Sequence, residues 1–209
     1  MSDARTSDDT KSAVIELDRL AVAETVRLLA TAGADDWQRP TPCAAWDLRS
    51  LVAHMTVQHL GFAASAEGAG PELDGWEPVP VDDPYASYEA SAEKVTSVFA
   101  RPGIAAGEFW LPELTTSRPF PAVQAIGFHF LDYVVHAWDV ARTLGAPLEL
   151  SDEVVDQAMV IGEAVPDNES RRRPGAAFGP AREASQNADA WDRLVAHLGR
   201  SPSWQPAYS

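Results

Sequence analysis

The chain has 209 residues, long enough for one substantial domain with a real core, and its 45% apolar and 22% charged content is ordinary for a globular protein. The balance of 16 Lys and Arg against 31 Asp and Glu gives a formal charge of −15, a field that repels nucleic-acid phosphates and anionic membrane surfaces. A single cysteine, Cys43, excludes an intrachain disulfide framework, and no apolar run is long enough for a spanning helix.

Residues 1–10 are rich in Ser, Asp and Thr and read as a mobile terminus without the apolar core of a signal peptide. A cytoplasmic protein is expected, with residues 11–209 forming one domain. From Ser12 an apolar stripe through Leu17, Ala21, Leu28 and Leu29 predicts a first helix, which Gly33 closes. Asp35-Asp36-Trp37 predicts a short turn. The segment Arg39–Arg49 holds Pro40, Pro42 and Trp46 and reads as a fixed loop, with Asp47 as the cap of a second helix running to about Glu67. That helix carries His54 among apolar neighbours and His59 on another face.

Residues 68–84 are rich in Gly, Pro and acids and predict a long loop that helps to form a pocket. Pro84 opens a third helix, which Arg101-Pro102-Gly103 ends. Residues 103–120 fit either a short hairpin or an extended crossover. A fourth helix from Pro121 to Leu144 follows, closed by Gly145, and a fifth runs from Ser151 to about Val165. Residues 167–186, with Arg171-Arg172-Arg173, read as solvated loop, and a last short helix spans Ala188–Leu198 with His197 at the surface. The pattern predicts an all-α four-helix bundle with peripheral short helices and an irregular crossover.

The fourth helix is apolar almost all round, yet holds His129, Asp132 and His136. Asp132 and His136 are four apart and stack on one face, with His129 a turn earlier. Buried ionisable groups are costly unless paired, hydrogen-bonded or bound to metal. Two donors at this spacing with His54 from a facing helix make a triangle with open coordination positions, and two imidazoles with one carboxylate suit Zn, Fe(II), Ni or Mn. A second reading stays open: core histidines with hydrogen-bonded rings, and an aspartate paired with arginine. His129 is an alternative ligand or a supporting group. Asp139 is expected to fix a backbone or histidine position, Cys43 to be a small buried hydrophobe, and Trp46, Trp110, Tyr133 and Trp138 to lie near the site.

Residues 41–54, Thr-Pro-Cys-Ala-Ala-Trp-Asp-Leu-Arg-Ser-Leu-Val-Ala-His, resemble the TPC-x-x-WD-x-x-x-L-x-x-H signature of mycothiol-dependent maleylpyruvate isomerase-like proteins, part of the DinB/YfiT-like metal-binding superfamily. Residues 135–145, Val-His-Ala-Trp-Asp-Val-Ala-Arg-Thr-Leu-Gly, resemble its second signature, and Phe178-Gly179-Pro180 with Leu194–Trp204 resemble the closing segment of its short, single-domain members. The resemblance implies a DinB-like bundle with a divalent metal on His54, Asp132 and His136. The isomerase has Glu where this chain has Asp132, one methylene shorter.

The resemblance further implies a metal-dependent isomerase or S-transferase that uses a low-molecular-weight thiol, mycothiol, on a small electrophilic substrate, the protein being a monomer or homodimer. The alternatives are a thiol-independent Lewis-acid or hydrolytic enzyme of a biosynthetic or catabolic pathway, and a non-catalytic metal- or ligand-binding module. The isomerase carries a further C-terminal domain for which no counterpart is expected in this shorter chain, and the resemblance therefore does not imply maleylpyruvate itself as the substrate.

Overall fold

The computed structural model describes residues 2–43, 46–173 and 176–206, and the side chains from residue 12 onward. Six α-helices make up nearly all of its regular structure: α1 (Ser2–Leu29), α2 (Leu48–Ala66), α3 (Pro84–Phe99), α4 (Ala122–Leu144), α5 (Asp152–Glu163) and α6 (Ala190–His197). The first four form an all-α bundle in which α1 packs chiefly on α4 and α2 on α3; α5 and α6 pack on each other and, through α5, on α4. No helix among the described residues is long and apolar enough to cross a membrane.

Local chemistry sets most of the boundaries. Nothing between Ser2 and Leu29 breaks a helix, since the stretch has neither Gly nor Pro, and α1 starts ten residues ahead of its apolar stripe. It also ends before Gly33, whose N–H is taken up by Asp36 in the turn Asp36–Gln38. Asp47 caps α2 by accepting from the Ser50 N–H at 2.8 Å. Asp83 caps α3, and Pro84 occupies its first turn. Gly145 ends α4 at φ +66°, a left-handed conformation that glycine adopts without steric cost. Ser151 stands at the start of α5 but its side chain makes no capping bond.

The segment between α3 and α4 is a hairpin. A turn at Ile104–Ala106 leads into β1 (Glu108–Phe109), which pairs antiparallel with β2 (Phe120–Pro121), Phe109 opposite Phe120. Both rings are buried beside Phe99 and Ile126 in an aromatic cluster that closes this end of the bundle. The long loop 68–84 is anchored there by Trp76, buried against Phe62 and laid flat over Gly61. Between this loop and α2 lies an apolar groove of about 220 Å³ lined by Val52, Thr56, Leu60 and Val81, on a face of α2 turned away from His54.

A Cβ at position 61 would stand 2.6 Å from two atoms of the Trp76 ring. Gly61→Ala is therefore expected to displace Trp76 and cost about 1–3 kcal/mol. Urea unfolding followed by tryptophan emission measures it; an unchanged midpoint and spectrum would show that the loop is not held this way.

The expectation of a solvated 167–186 loop needs correction. Arg171 is 5% exposed within a short turn, Glu169–Arg172. Its guanidinium donates to the carbonyls of Val165 (2.7 Å), Pro166 (2.9 Å) and His197 (2.5 Å). These are carbonyls that the ends of α5 and α6 leave unpaired. His197 is half-buried there, its Nε2 3.2 Å from the Val165 carbonyl, and not a surface residue. Arg172 and Arg173 are exposed as expected.

Candidate metal centre

The donor atoms of His54, Asp132 and His136 lie within 4.8 Å of one another, the group of this kind found among the described residues. His54 comes from α2; Asp132 and His136 come from α4, one turn apart. The two imidazole rings meet edge to face with centroids 5.8 Å apart. His136 Nε2 is 3.5 Å from Asp132 Oδ2. Two ligands about 2.1 Å from a tetrahedral metal are separated by roughly 3.4 Å. The His136–Asp132 separation is thus the one that two neighbouring ligands of a single metal have, despite the missing methylene. Two imidazoles and a carboxylate are a donor set that suits a first-row divalent metal.

His136 is 2% exposed and held from behind. Its Nδ1 is 3.0 Å from Asp139 Oδ2. An ionised carboxylate only accepts, so Nδ1 carries a proton, and Nε2, which faces Asp132, is the nitrogen left for a metal. Asp139 is fully buried and takes a second bond at 3.0 Å from Arg200 Nη2, with Arg200 Nε 3.4 Å from its other oxygen. Burial pushes the Asp139 carboxyl up, but Arg200 and the His136 bond outweigh it and hold the group below its ordinary value. Arg200 follows α6 and is itself 5% exposed. The expected support of a histidine by Asp139 is thus present. Arg200, 61 residues further along, lies in the closing segment, where nothing local ties it to Asp139.

His54 is half-buried under Trp46, ring centroids 4.6 Å apart. Burial, reinforced by His136, lowers its pKa to about 4, with Asp132 opposing. The ring is consequently neutral near pH 7, the form that binds metal. Trp46 is placed by the loop before α2: Thr41 Oγ1 donates to its carbonyl at 2.9 Å, and Pro40 bridges Asp47. Residues 44 and 45 of the first signature lie outside the described residues. Cys43 sits 3.8 Å from Arg200 Nη2. Burial pushes its thiol up to about 11, which keeps it protonated and unsuited to nucleophilic work.

His129 belongs to a different cluster. Its Nδ1 pairs with Asp18 Oδ1 at 2.6 Å, and its ring stacks on Tyr133 and approaches His59, Phe62 and Phe99. His59 also stacks on Tyr133 and bonds Ser91 through Nδ1 at 3.0 Å. Tyr133 donates to the Met55 carbonyl, linking α4 to α2. This buried cluster braces the bundle directly beneath the three donors. Trp138 is buried with Arg142 over its ring, and Trp110 is half-buried.

Comparison with known proteins supplies the context. The mycothiol maleylpyruvate isomerase N-terminal domain matches residues 19–141, a span that includes all three donors. Two proteins of Mycobacterium tuberculosis described as uncharacterized, from strains CDC 1551 and H37Rv, are each 27% identical over 180 residues, covering 83% of this chain and 90% of the relative. No solved structure matches the chain significantly. The matched span covers more than half of the residues, and the helical architecture is the one expected of a DinB-like protein: the chain belongs to the mycothiol maleylpyruvate isomerase N-terminal domain family.

Proposed function

We propose that the protein is a divalent-metal-dependent enzyme that uses a low-molecular-weight thiol, mycothiol by family, for isomerisation or S-transfer on a small electrophilic substrate. The observation that carries this reading is the convergence of His54, Asp132 and His136 with His136 already fixed in the ligating tautomer by Asp139. Zinc is the first choice, with nickel, iron and manganese suited to the same donors. When bound, the metal supplies Lewis acidity that favours a thiol in its nucleophilic thiolate form at neutral pH.

The chain's own groups do the rest. Asp139 and Arg200 hold His136; Trp46 covers one side of His54 and excludes water there. Asp132, with its side chain 22% exposed, marks the side from which thiol and substrate enter. On this reading the enzyme works in the cytoplasm, where such thiols are kept reduced, as a monomer or homodimer.

Metal analysis after loading with zinc, nickel, iron or manganese is expected to find one metal per chain. His54→Ala and His136→Ala should each weaken binding by a hundredfold or more, beyond the roughly tenfold to hundredfold loss typical of supporting residues. Retention of no metal under any loading condition sinks the reading. Turnover of an activated alkene with and without mycothiol then separates it from thiol-independent chemistry, which would proceed unaided.

A further inference from the structure

The hairpin between α3 and α4 brings another carboxylate to the rim of the centre. Glu113 lies between β1 and β2, and its Oε2 accepts a 2.7 Å hydrogen bond from Gln58 Nε2. Gln58 is 6% exposed and stands four residues beyond His54, so both project from one face of α2. His54 pairs with His136, and His59 with Tyr133, so α2 and α4 run antiparallel here. Gln58 therefore lies level with Asp132. Glu113, clamped to Gln58, is thereby held toward the Asp132 level of the bundle, near enough to feel the charge of Asp132. Partial burial raises the Glu113 pKa; the Gln58 bond opposes this and the charge of Asp132 adds to it.

A link serving only to pin the hairpin to α2 needs no ionisable group. A carboxylate that is open to solvent on one side, and is held through one oxygen by a residue one helical turn from His54, is placed for proton transfer at the rim of the centre. Gln58 from α2 holds one oxygen, and the charge of Asp132 from α4 reaches the carboxylate.

We propose that Glu113 is the acid–base group of this centre, with Gln58 as its positioning residue, an assignment that rests on the thiol-dependent reading above. The S–H proton of the incoming thiol passes to the Glu113 carboxylate. The sulfur electron pair forms a C–S bond at the electrophilic carbon of a conjugated alkene, and the π pair moves to the adjoining carbonyl oxygen. After rotation about the carbon–carbon bond the pair returns, the C–S bond breaks, and Glu113 gives the proton back to sulfur. In S-transfer by addition the same proton goes to the carbon next to the carbonyl. No oxidant or reductant is consumed.

Calorimetric titration of the zinc-loaded protein with mycothiol, in buffers of different ionisation enthalpy, counts the protons released per thiol bound. Wild-type protein is expected to release only a fraction of a proton, because Glu113 retains the remainder. Glu113→Gln should release close to a full proton at unchanged zinc content, and Gln58→Leu should fall between them. Equal release by wild type and Glu113→Gln, with mycothiol still bound, overturns the assignment and leaves the thiol-dependent reading standing. If mycothiol does not bind zinc-loaded wild type, that reading fails and the role of Glu113 fails with it.

Discussion

Replacing Asp139 by alanine is expected to lower stability by about 3–5 kcal/mol and to weaken metal binding roughly tenfold to a hundredfold. Both effects come from one carboxylate. Asp139 is fully buried and bonds Arg200 and His136 at 3.0 Å each. Its removal leaves a nearly dry guanidinium without a counter-charge, and a buried charge lacking its partner is among the costliest defects a core can hold. It also frees the His136 ring to turn and to exchange tautomers. A double replacement separates the two effects. Asp139→Leu with Arg200→Met removes both charges and fills the space with apolar atoms, so stability should return to near the wild-type value while metal affinity stays low. Urea unfolding of metal-free protein and competitive metal titration measure the two quantities independently. Full metal affinity in the double variant would show that Asp139 does not orient His136.

Acid should destabilise the metal-free protein well above the usual carboxylate range. The unfolded chain protonates His54 near pH 6.5, whereas burial delays this in the folded protein to about pH 4. Between these values the unfolded state binds more protons, so stability falls as pH falls. The contribution is complete above pH 6.5 and is lost by about 3 kcal/mol on reaching pH 4. His59, fully buried with its pKa lowered by burial and by His129, acts in the same direction. Urea midpoints measured from pH 7.5 to 4 should therefore slope steeply, and His54→Gln should flatten the slope. A flat wild-type profile over this interval would contradict the burial ascribed to these rings. Bound metal should hold the neutral form of His54 and move the loss to lower pH.

Local signals were legible wherever one short segment decides the outcome. Asp47, Pro84 and Gly145 act where their chemistry places them, because capping, a first-turn proline and left-handed closure involve only a few neighbouring residues. The i, i+4 spacing of Asp132 and His136 was readable for the same reason, and the signature around His54 supplied the partner. Groups that meet across the fold were not readable. Arg171 belongs to a run of three arginines, which locally looks solvated; its burial depends on helix-end carbonyls 5 to 26 residues away. The links Arg200–Asp139 and Gln58–Glu113 join residues 61 and 55 positions apart. His129 offered itself as a ligand by periodicity, yet Asp18 from α1 holds its Nδ1. Periodicity specifies a face of a helix but not which of two buried clusters a residue on it will join.

The seat of Arg200 has one more consequence. The chain beyond α6 carries the group that steadies His136 through Asp139. A ligand that prefers His136 held in place must also prefer that segment docked, and the preference is reciprocal. On the proposed reading, occupancy of the centre by a metal and docking of the C-terminal segment would therefore reinforce each other, and whatever peels that segment away would loosen a metal held by His136.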